Sequence, residues 1–284
     1  APAMAADVTV SGALSYRYVA DDSANTADFV NVDNLITVAA SSEMSNGMTV
    51  SASITMDASA DNTVTDSGSA THTGVINDGG DNISIAGSFG KLSVGDVSGG
   101  MDAYGDYSDI SPAFGEFGAD GDDAAIALTP NLGVEGLSVT IAATPEGDAR
   151  NAEGTSYGLQ YTMGAFSAYM GKDEAQAVAN QMSSAGIKYS ADGIMVAYES
   201  GQADASASGK VEYKGIAATY TMGDLVFGYE MQEQTDDGTV DKDETVLSAV
   251  YTLGGGASIY VAKADDDKAS SVVDKTAIGV SYAF

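Results

Sequence analysis

The chain has 284 residues, and its 41 acidic and 11 basic residues give a formal net charge of -30. That charge argues against nucleic acid as a partner, because binding a phosphate backbone requires the opposite sign. The sequence contains no cysteine, which excludes disulfides and thiolate sites. Its one histidine, His72, lies in a turn-rich stretch, where neither a multi-histidine metal site nor a catalytic triad is expected. No window approaches the roughly 20 consecutive apolar residues of a membrane helix.

The first ten residues read APAMAADVTV. Ala3, Met4 and Ala5 fit the small-x-small pattern that ends a secretory signal, directly before Ala6. The pattern predicts export, with residues 1–6 as a signal-peptide remnant or leader. An unstructured alanine- and proline-rich leader is the alternative.

From Asp7 onward, large apolar residues alternate with small or polar ones. In residues 7–19 the even positions include Val8, Val10, Leu14, Tyr16 and Tyr18, and the odd positions include Thr9, Ser11, Ser15 and Arg17. The same alternation returns in residues 48–56, 157–163, 225–231, 247–253 and 276–284. A period of two predicts strands with one apolar face, and each segment has about the length of a tilted membrane-spanning strand.

Two kinds of connection separate these segments. Short turns, each with the glycine that is typical of hairpins, are predicted at 45–47, 89–91, 131–136, 163–165, 191–193, 222–224 and 254–256. They alternate with eight longer, mostly acidic loops, which gives sixteen strands with both chain ends on the short-turn side. The first and last strands can then pair and leave no edge. Because no linker or composition break interrupts the pattern, residues 7–284 are predicted to form one domain.

The width of such a ring decides where the apolar face points. A closed sheet of sixteen strands is too wide for side chains to fill, so it encloses an aqueous channel. The apolar face then lies outward in lipid, where only helices and closed barrels satisfy their backbone groups. We therefore predict an all-β fold, a 16-stranded antiparallel transmembrane β-barrel. Aromatic residues expected in its interfacial girdles are Tyr16, Tyr18, Tyr104, Phe166, Tyr229 and Phe284.

Two motifs are more specific. Residues 83–96, ISIAGSFGKLSVGD, resemble the hairpin between the fourth and fifth strands of the general bacterial porins, trimeric sixteen-stranded outer-membrane channels, and those of alphaproteobacteria in particular. The long loop that follows resembles the family's inward-folded third loop. The terminal YAF, with Tyr282 and Phe284, resembles the carboxy-terminal signature that the outer-membrane assembly machinery reads.

The resemblance implies a place in the bacterial outer membrane, surrounded by lipid and lipopolysaccharide. It further implies a homotrimer in which the second loop, residues 57–80, reaches the neighbouring subunit. It implies passage of small hydrophilic solutes.

Residues 98–124 form the predicted constriction loop, which is longer than a connection needs. The segment has no basic residue, and its acids are Asp102, Asp106, Asp109, Glu116, Asp120, Asp122 and Asp123. A loop folded into the lumen places some of these carboxylates at the narrowest point, where their potential favours cations. A solvated acidic surface loop is the alternative.

The basic residues depart from the family pattern, which sets an arginine cluster on the wall opposite the loop. Residues 32–56, where that cluster is expected, contain no basic residue. Alternation makes four basic residues candidates for the lumen wall: Arg17, Lys188, Lys275 and Lys91. The alternative for each is a position at the rim of the barrel, paired with a nearby acid. A weakly basic wall that faces an acidic loop predicts a cation preference.

The last features of the sequence are its other acidic clusters and its lack of catalytic motifs. Acidic clusters at residues 21–22, 236–237 and 265–267 indicate solvated outer loops or, as a second interpretation, Ca²⁺ sites. No other cofactor or metal is expected, and no enzymatic activity, because no nucleophile has an activating base in its pattern. The predicted function is a water-filled diffusion channel. The alternatives are a substrate-specific outer-membrane channel and a secreted acidic β-rich adhesive or structural protein with its stripes packed between two sheets.

Overall fold

A computed structural model describes residues 6–21, 29–57, 64–65, 77–114, 123–145, 153–175, 181–205, 209–236, 239–266 and 273–284. The first half of the described chain forms strands β1 (Asp7–Asp21), β2 (Phe29–Glu43), β3 (Thr49–Asp57), β4 (Val64–Thr65), β5 (Asn77–Gly87), β6 (Gly90–Ser98), β7 (Asp123–Pro130) and β8 (Leu137–Thr144). The second half forms β9 (Gly154–Met163), β10 (Phe166–Ala175), β11 (Gln181–Ala191), β12 (Ile194–Ala205), β13 (Gly209–Met222), β14 (Leu225–Asp236), β15 (Thr239–Gly254), β16 (Ala257–Asp266) and β17 (Val273–Ala283).

Sixteen of these strands close into a ring. Each pairs antiparallel with its neighbours in the chain, and β17 pairs with β1 in a register that sets Tyr16 opposite Val280. The two-residue strand β4 pairs only with β2 and lies outside the ring. The predicted 16-stranded antiparallel barrel is confirmed, and residues 83–96 occupy its fourth and fifth wall strands, β5 and β6.

All seven short turns join wall strands where they are predicted. In the turn between β11 and β12, Asp192 and Gly193 have φ values of 53° and 78°, the left-handed pair that tight hairpins require. The chain ends meet on this side of the barrel, because Gly12 and Phe284 exchange two backbone hydrogen bonds of 3.0 and 3.1 Å.

The apolar stripes face outward. Met163, Ile187 and Ile278 are each more than 60% exposed, although they lie in well-paired strands. The opposite face carries mostly Ser, Thr, Gly and Ala and surrounds the lumen. An apolar outer face is stable only in lipid, so the alternative of stripes packed between two sheets is wrong. No helix among the described residues has the length and hydropathy of a membrane span.

The girdle prediction fails at one residue. Tyr16, Tyr18, Phe166, Tyr229 and Phe284 are exposed on the outward face, as predicted. Tyr104 instead lies inside the barrel, with its hydroxyl 2.5 Å from Ser138 Oγ and 2.9 Å from Thr140 Oγ1. It belongs to the loop after β6, where strand alternation no longer tells which way a side chain points. Residues 1–5, at the predicted signal remnant, and His72 lie outside the described residues.

The outward orientation predicts a depth-dependent cost for a new charge. Ile187→Lys, near the middle of an outward stripe, should destabilise the folded protein in lipid vesicles by about 2–4 kcal/mol. Leu253→Lys, at the short-turn end of β15, should cost only about 0–1 kcal/mol, since the charge reaches water there. Urea unfolding of both variants measures the difference, and equal costs would contradict the assigned lipid face.

Candidate functional site: the lumen and its loop

The loop between β6 and β7 folds into the barrel and follows its inner wall. Near its start, Met101 N donates to Ser156 Oγ on β9 at 3.1 Å. Further along, Ile110 approaches β14, and Ala113 and Phe114 pack against a cluster on β15 and β16. The described part of the loop therefore crosses the inner faces of about half of the strands. The inward fold predicted for residues 98–124 is thus seen for residues 99–114.

Glycines on the wall let the loop approach this closely. They lie on the inner faces of β9, β10, β11, β13 and β14, as Gly158, Gly171, Gly186, Gly215 and Gly228. A Cβ at Gly171 would lie 2.6 Å from Met101 Cγ, and one at Gly215 would lie 2.5 Å from Ser108 Cβ. Atoms in contact are normally about 3.5–4.0 Å apart, so a larger residue at Gly158, Gly171 or Gly215 would displace the loop.

Tyr107 is the central anchor of the loop. Its ring packs edge-on against Tyr169 of β10 with ring centroids 4.7 Å apart, and its hydroxyl accepts a hydrogen bond from Gln160 Nε2 at 2.9 Å. Lys188 Nζ lies 4.0 Å from the centroid of the same ring, a cation–π arrangement. Burial raises the pKa of the Tyr107 phenol, so this anchor remains neutral at physiological pH.

Buried carboxylates hold the backbone of the loop. Glu199 on β12 is 5% exposed and accepts hydrogen bonds from Ser108 N, at 3.2 Å, and from the Tyr169 hydroxyl. Gln232 Nε2 on β14 donates to Ser108 O at 3.3 Å and to Glu230 Oε1 at 3.1 Å. These acids serve the loop rather than the pore water, because the loop covers them.

The far end of the described loop is fixed from β1. Arg17 Nη1 donates to Ala113 O at 3.2 Å. Ser111 Oγ accepts from the backbone N–H groups of Ala113 and Phe114 at 3.3 and 3.2 Å. Arg17 thus faces the lumen, as the alternation of β1 predicts, and it ties the loop to the strand that closes the ring.

The predicted constriction acids divide into three groups. The first group is described: Asp106 and Asp109 are exposed, and Asp102 is half-buried. The other side of the same loop buries Met101, Tyr107 and Ser108 against the wall. Residues 115–122, which include Glu116, Asp120 and Asp122, lie outside the described residues. Asp123 is not part of the loop, because it begins strand β7, and Ser98 ends strand β6. The predicted loop boundaries were each too wide by one or two residues, since strand pairing continues to the Ser98–Asp123 pair.

The wall across from the loop is lined by hydroxyl groups. On β2 and β3, Thr37 Oγ1 lies 3.0 Å from Thr55 Oγ1, and Ser84 and Ser93 occupy the lumen-facing side of β5 and β6. Of the four predicted inward basic residues, Lys188 and Arg17 contact the loop. Lys275 shares the inner side of β17 with Ala277, and Lys91 lies at the short-turn end of β6 opposite Thr129.

Sequence reasoning missed the residues that seat the loop. Glu199 lies between the outward Tyr198 and Ser200, so alternation alone points it inward, where an acid needs a partner. The inward glycines that recur on neighbouring strands were a second signal, because they mark where another segment can pack closely against the wall. Tyr107 and Ser108 had no such signal, since loop residues follow no period. Among the described residues, no group of three or more His, Cys, Asp or Glu side chains is placed to hold a metal ion.

A closed transmembrane barrel with a hydroxyl-lined lumen and an inward-folded loop defines a channel. The family model described as Gram-negative porin matches residues 1–271. The chain therefore belongs to the Gram-negative porin family, whose members are outer-membrane channels. A search of characterised protein sequences found no match.

Solved porin structures share the whole fold. The barrel matches OmpF of Salmonella typhi, solved with daunomycin, with a TM-score of 0.81 and 14% identity over 98% of this chain and 97% of that one. It matches the anion-selective porin of Comamonas acidovorans with a TM-score of 0.78 and 15% identity over 99% and 100%. The trimer form of OmpT from Vibrio cholerae gives a TM-score of 0.76 and 16% identity over 99% and 100%.

The close seating of the loop predicts the effect of a larger wall residue. Gly215→Val places a side chain where Ser108 Oγ lies 2.2 Å away, so the loop must shift by about 1 Å or more into the lumen to restore normal contacts. Single-channel conductance should fall. Gly105→Ala is the matched control, because its nearest neighbour atom would be 3.5 Å away. An unchanged Gly215→Val conductance would contradict the described loop position.

Proposed function

We propose that this porin lets small hydrophilic solutes and ions diffuse across the outer membrane and that it prefers cations to anions. The observation that carries the proposal is the orientation of the loop. Its apolar and hydroxyl side chains pack on the wall, while Asp106 and Asp109 lie on its exposed side. Carboxylates beside a narrow aqueous path lower the energy of a passing cation and raise that of an anion.

The basic residues of the described lumen do not offset these acids. Lys188 stacks on Tyr107 and Arg17 is bound to the loop backbone, while Lys91 lies at the short-turn end. Lys275 and Lys242 lie at the long-loop end, where Lys275 is paired in register with Asp21. Strands β2 and β3 of the wall opposite the loop contain no basic residue, and Asp33 and Asp57 lie on their inner face. One structural neighbour is named as an anion-selective porin, so the fold alone does not determine the sign of selectivity. The charges on the lumen surface do.

General diffusion is favoured over a substrate-specific channel. Specific channels tend to present an aromatic track or a basic ladder to the solute. Here Tyr107, Tyr169 and Tyr260 are 4–5% exposed, so their rings are covered by the loop and wall. Tyr104, also inside the barrel, is half-buried and hydrogen-bonded to Ser138 and Thr140 on the wall, so these tyrosines form no continuous stacking track. Basic residues are few and far apart along the described lumen.

Removal of the two loop charges tests the proposed selectivity. A unit charge about 5 Å from an ion in water contributes about 0.8 kcal/mol before screening, and salt reduces that value. Asp106→Asn with Asp109→Asn should therefore lower the cation-to-anion permeability ratio by roughly two- to fourfold, measured from reversal potentials under a salt gradient. Asp224→Asn, at an exposed turn between β13 and β14, is the charge-matched control. An unchanged ratio in the double variant would contradict a role for these acids.

We further propose that the protein is a homotrimer that buries the outer face of β2, β3, β5 and β6. OmpT is described as a trimer. The described outward side chains of these four strands include no aromatic residue. Their apolar members are Ile36, Val38, Ala40, Val50, Ala52, Ile54, Met56, Ile83, Ile85, Leu92 and Val94. Elsewhere Tyr161, Phe166, Tyr189, Tyr220 and Tyr251 provide interfacial aromatics. Phe89 is exposed at the rim of this wall, in the turn between β5 and β6, so the contrast concerns the strands themselves. Strands without outward aromatics suit a protein contact better than a membrane interface, where aromatics are enriched.

Charge placed on that wall should dissociate the trimer. Ala52→Arg buries an unpaired cation in the proposed contact and should shift the folded protein to monomers on a non-denaturing detergent gel. Ala218→Arg makes the same change on the outward face of β13, beside Tyr229, and should leave the trimer intact. The reverse pattern would place the contact on the wall that carries the aromatics.

Four expectations from the sequence stay predictions. Tyr282 and Phe284 stack with ring centroids 5.9 Å apart on the exposed outer face, which supports recognition by the assembly machinery. Ca²⁺ binding concerns acidic loops that lie largely outside the described residues. Contact with lipopolysaccharide and the absence of enzymatic activity are expected for a porin and await direct measurement.

A further inference from the structure

Two buried oxygen atoms beneath the loop lack a hydrogen-bond partner among the described residues. They belong to Glu230 and Gln232, which lie two residues apart on the inner face of β14 and are 1% and 2% exposed. Gln232 Nε2 donates to Glu230 Oε1 at 3.1 Å and to Ser108 O at 3.3 Å, which fixes the orientation of the amide. The backbone N–H groups of Ile110 and Ser111 also face the Glu230 carboxylate. Glu230 Oε2 and Gln232 Oε1 remain unsatisfied, and because both are acceptors they cannot satisfy each other.

The surroundings of these two oxygens are acidic. The charged groups that act most strongly on Glu230 are the carboxylates of Asp109 in the loop and of Glu244 on β15. Glu244 lies opposite Gln232 in the register of the two strands and is 7% exposed. Lys242, on the same face of β15, lies two residues nearer the long-loop end than Glu244. A buried carboxylate among other acids is costly unless a positive charge or a proton reaches it.

The ligand atoms suit a monovalent cation. Carbonyl oxygens replace the hydration shell of K⁺ in channels and coordinate Na⁺ in transporters. Ca²⁺ takes about 6–8 oxygen ligands, several of them carboxylates, whereas within the described ranges no three acidic side chains are placed to hold a metal ion. One carboxylate oxygen, one amide oxygen and the loop carbonyl Ser108 O therefore suit Na⁺ or K⁺ better than Ca²⁺.

A single cation accounts for both unsatisfied oxygens. A water molecule would donate to both but would leave the negative charge in place. A proton on Glu230 Oε2 would donate to Gln232 Oε1, so a proton and a cation compete for the same position. The N–H donors that face the carboxylate bind its ionised form more strongly than its neutral form, which favours the cation. Asp109 is exposed on the loop, so a cation in the pore water passes close to the site.

We propose that Glu230 Oε2 and Gln232 Oε1 bind a resident Na⁺ or K⁺ ion beneath the loop. The ion links β14 to the loop backbone near Ser108 and offsets part of the negative charge that the loop covers. The stability of the folded protein then depends on which cation is present. The proposal concerns a resident ion and not the ions in transit, so it stands apart from the proposed selectivity.

Thermal unfolding of the full-length protein, refolded in a neutral detergent and followed by circular dichroism, tests the site. Sodium chloride replaces choline chloride at constant ionic strength, because choline is too large for a buried position. A ligand that binds only the folded state stabilises it, so the midpoint should rise by roughly 3 °C or more in sodium. Glu230→Gln should remove this sodium dependence, because its amide N–H takes the place of the ion and donates to Gln232 Oε1.

Glu199→Gln is the matched control. Glu199 is 5% exposed beneath the same loop, but both of its oxygens have partners, the Tyr169 hydroxyl on Oε1 and Ser108 N on Oε2. This variant should lower the midpoint in both salts and keep the sodium dependence. Equal sodium dependence in the unmodified protein and in Glu230→Gln would overturn the proposal. A midpoint that follows pH but not sodium would also overturn it, because a proton would then occupy the position.

If Glu230→Gln fails to fold, crystals of the unmodified protein soaked in rubidium chloride decide the question. An anomalous peak between Glu230 Oε2 and Gln232 Oε1 supports the site, and featureless density there overturns it. Reversal potentials of the same protein measure selectivity separately. A failure of the resident ion site is thereby distinguished from a failure of the proposed function.

Discussion

The function of this barrel depends on how closely the loop after β6 approaches the inner wall. Gly158, Gly171 and Gly215 remove the side chains that would otherwise keep the loop away, and a Cβ at each would come within 3 Å of loop atoms. Once the loop is in contact, Tyr107 and Ser108 find buried partners on the wall. The same contact turns Asp106 and Asp109 toward water. The approach of the loop to the wall, its hydrogen bonds to buried wall residues and the exposure of its two aspartates therefore all depend on one set of glycines.

The buried acids of the wall and the exposed acids of the loop have different roles. Glu199 and Glu230 are 5% and 1% exposed, and their hydrogen bonds end on loop backbone or on neighbouring wall residues. They stabilise the position of the loop. Asp106 and Asp109 of the loop are exposed, which is why the proposed cation preference rests on them. The acids described here therefore divide by burial into those that hold the loop and those that face water.

The architecture was largely predictable because two strong constraints coincide in the sequence. Alternation of apolar and small residues shows which side chains share a face of each strand. The number of glycine turns gives the number of strands. An even number of strands, sixteen, predicts a closed barrel with its apolar face outward. Alternation also placed Arg17 and Lys188 on the lumen side correctly. The loop was only partly predictable. Tyr104 was assigned to the girdle although it hydrogen-bonds inside the barrel, because outside a strand no period relates sequence to direction.

The outer surface carries information that the lumen does not. The walls of β2, β3, β5 and β6 lack described outward aromatics, whereas β9 to β13 carry them. A barrel in a uniform lipid environment would not need such differences. The aliphatic side is the one to which the proposed trimer contact is assigned.

The central claim is that a loop fixed on the wall gives the lumen a net negative surface. The most direct measurement is the reversal potential of the unmodified protein in a planar bilayer under a salt gradient. The account predicts large ohmic channels with a cation-side reversal potential that weakens at high ionic strength, because salt screens the loop carboxylates. A reversal potential on the anion side would show that other charges control the pore and would contradict the account.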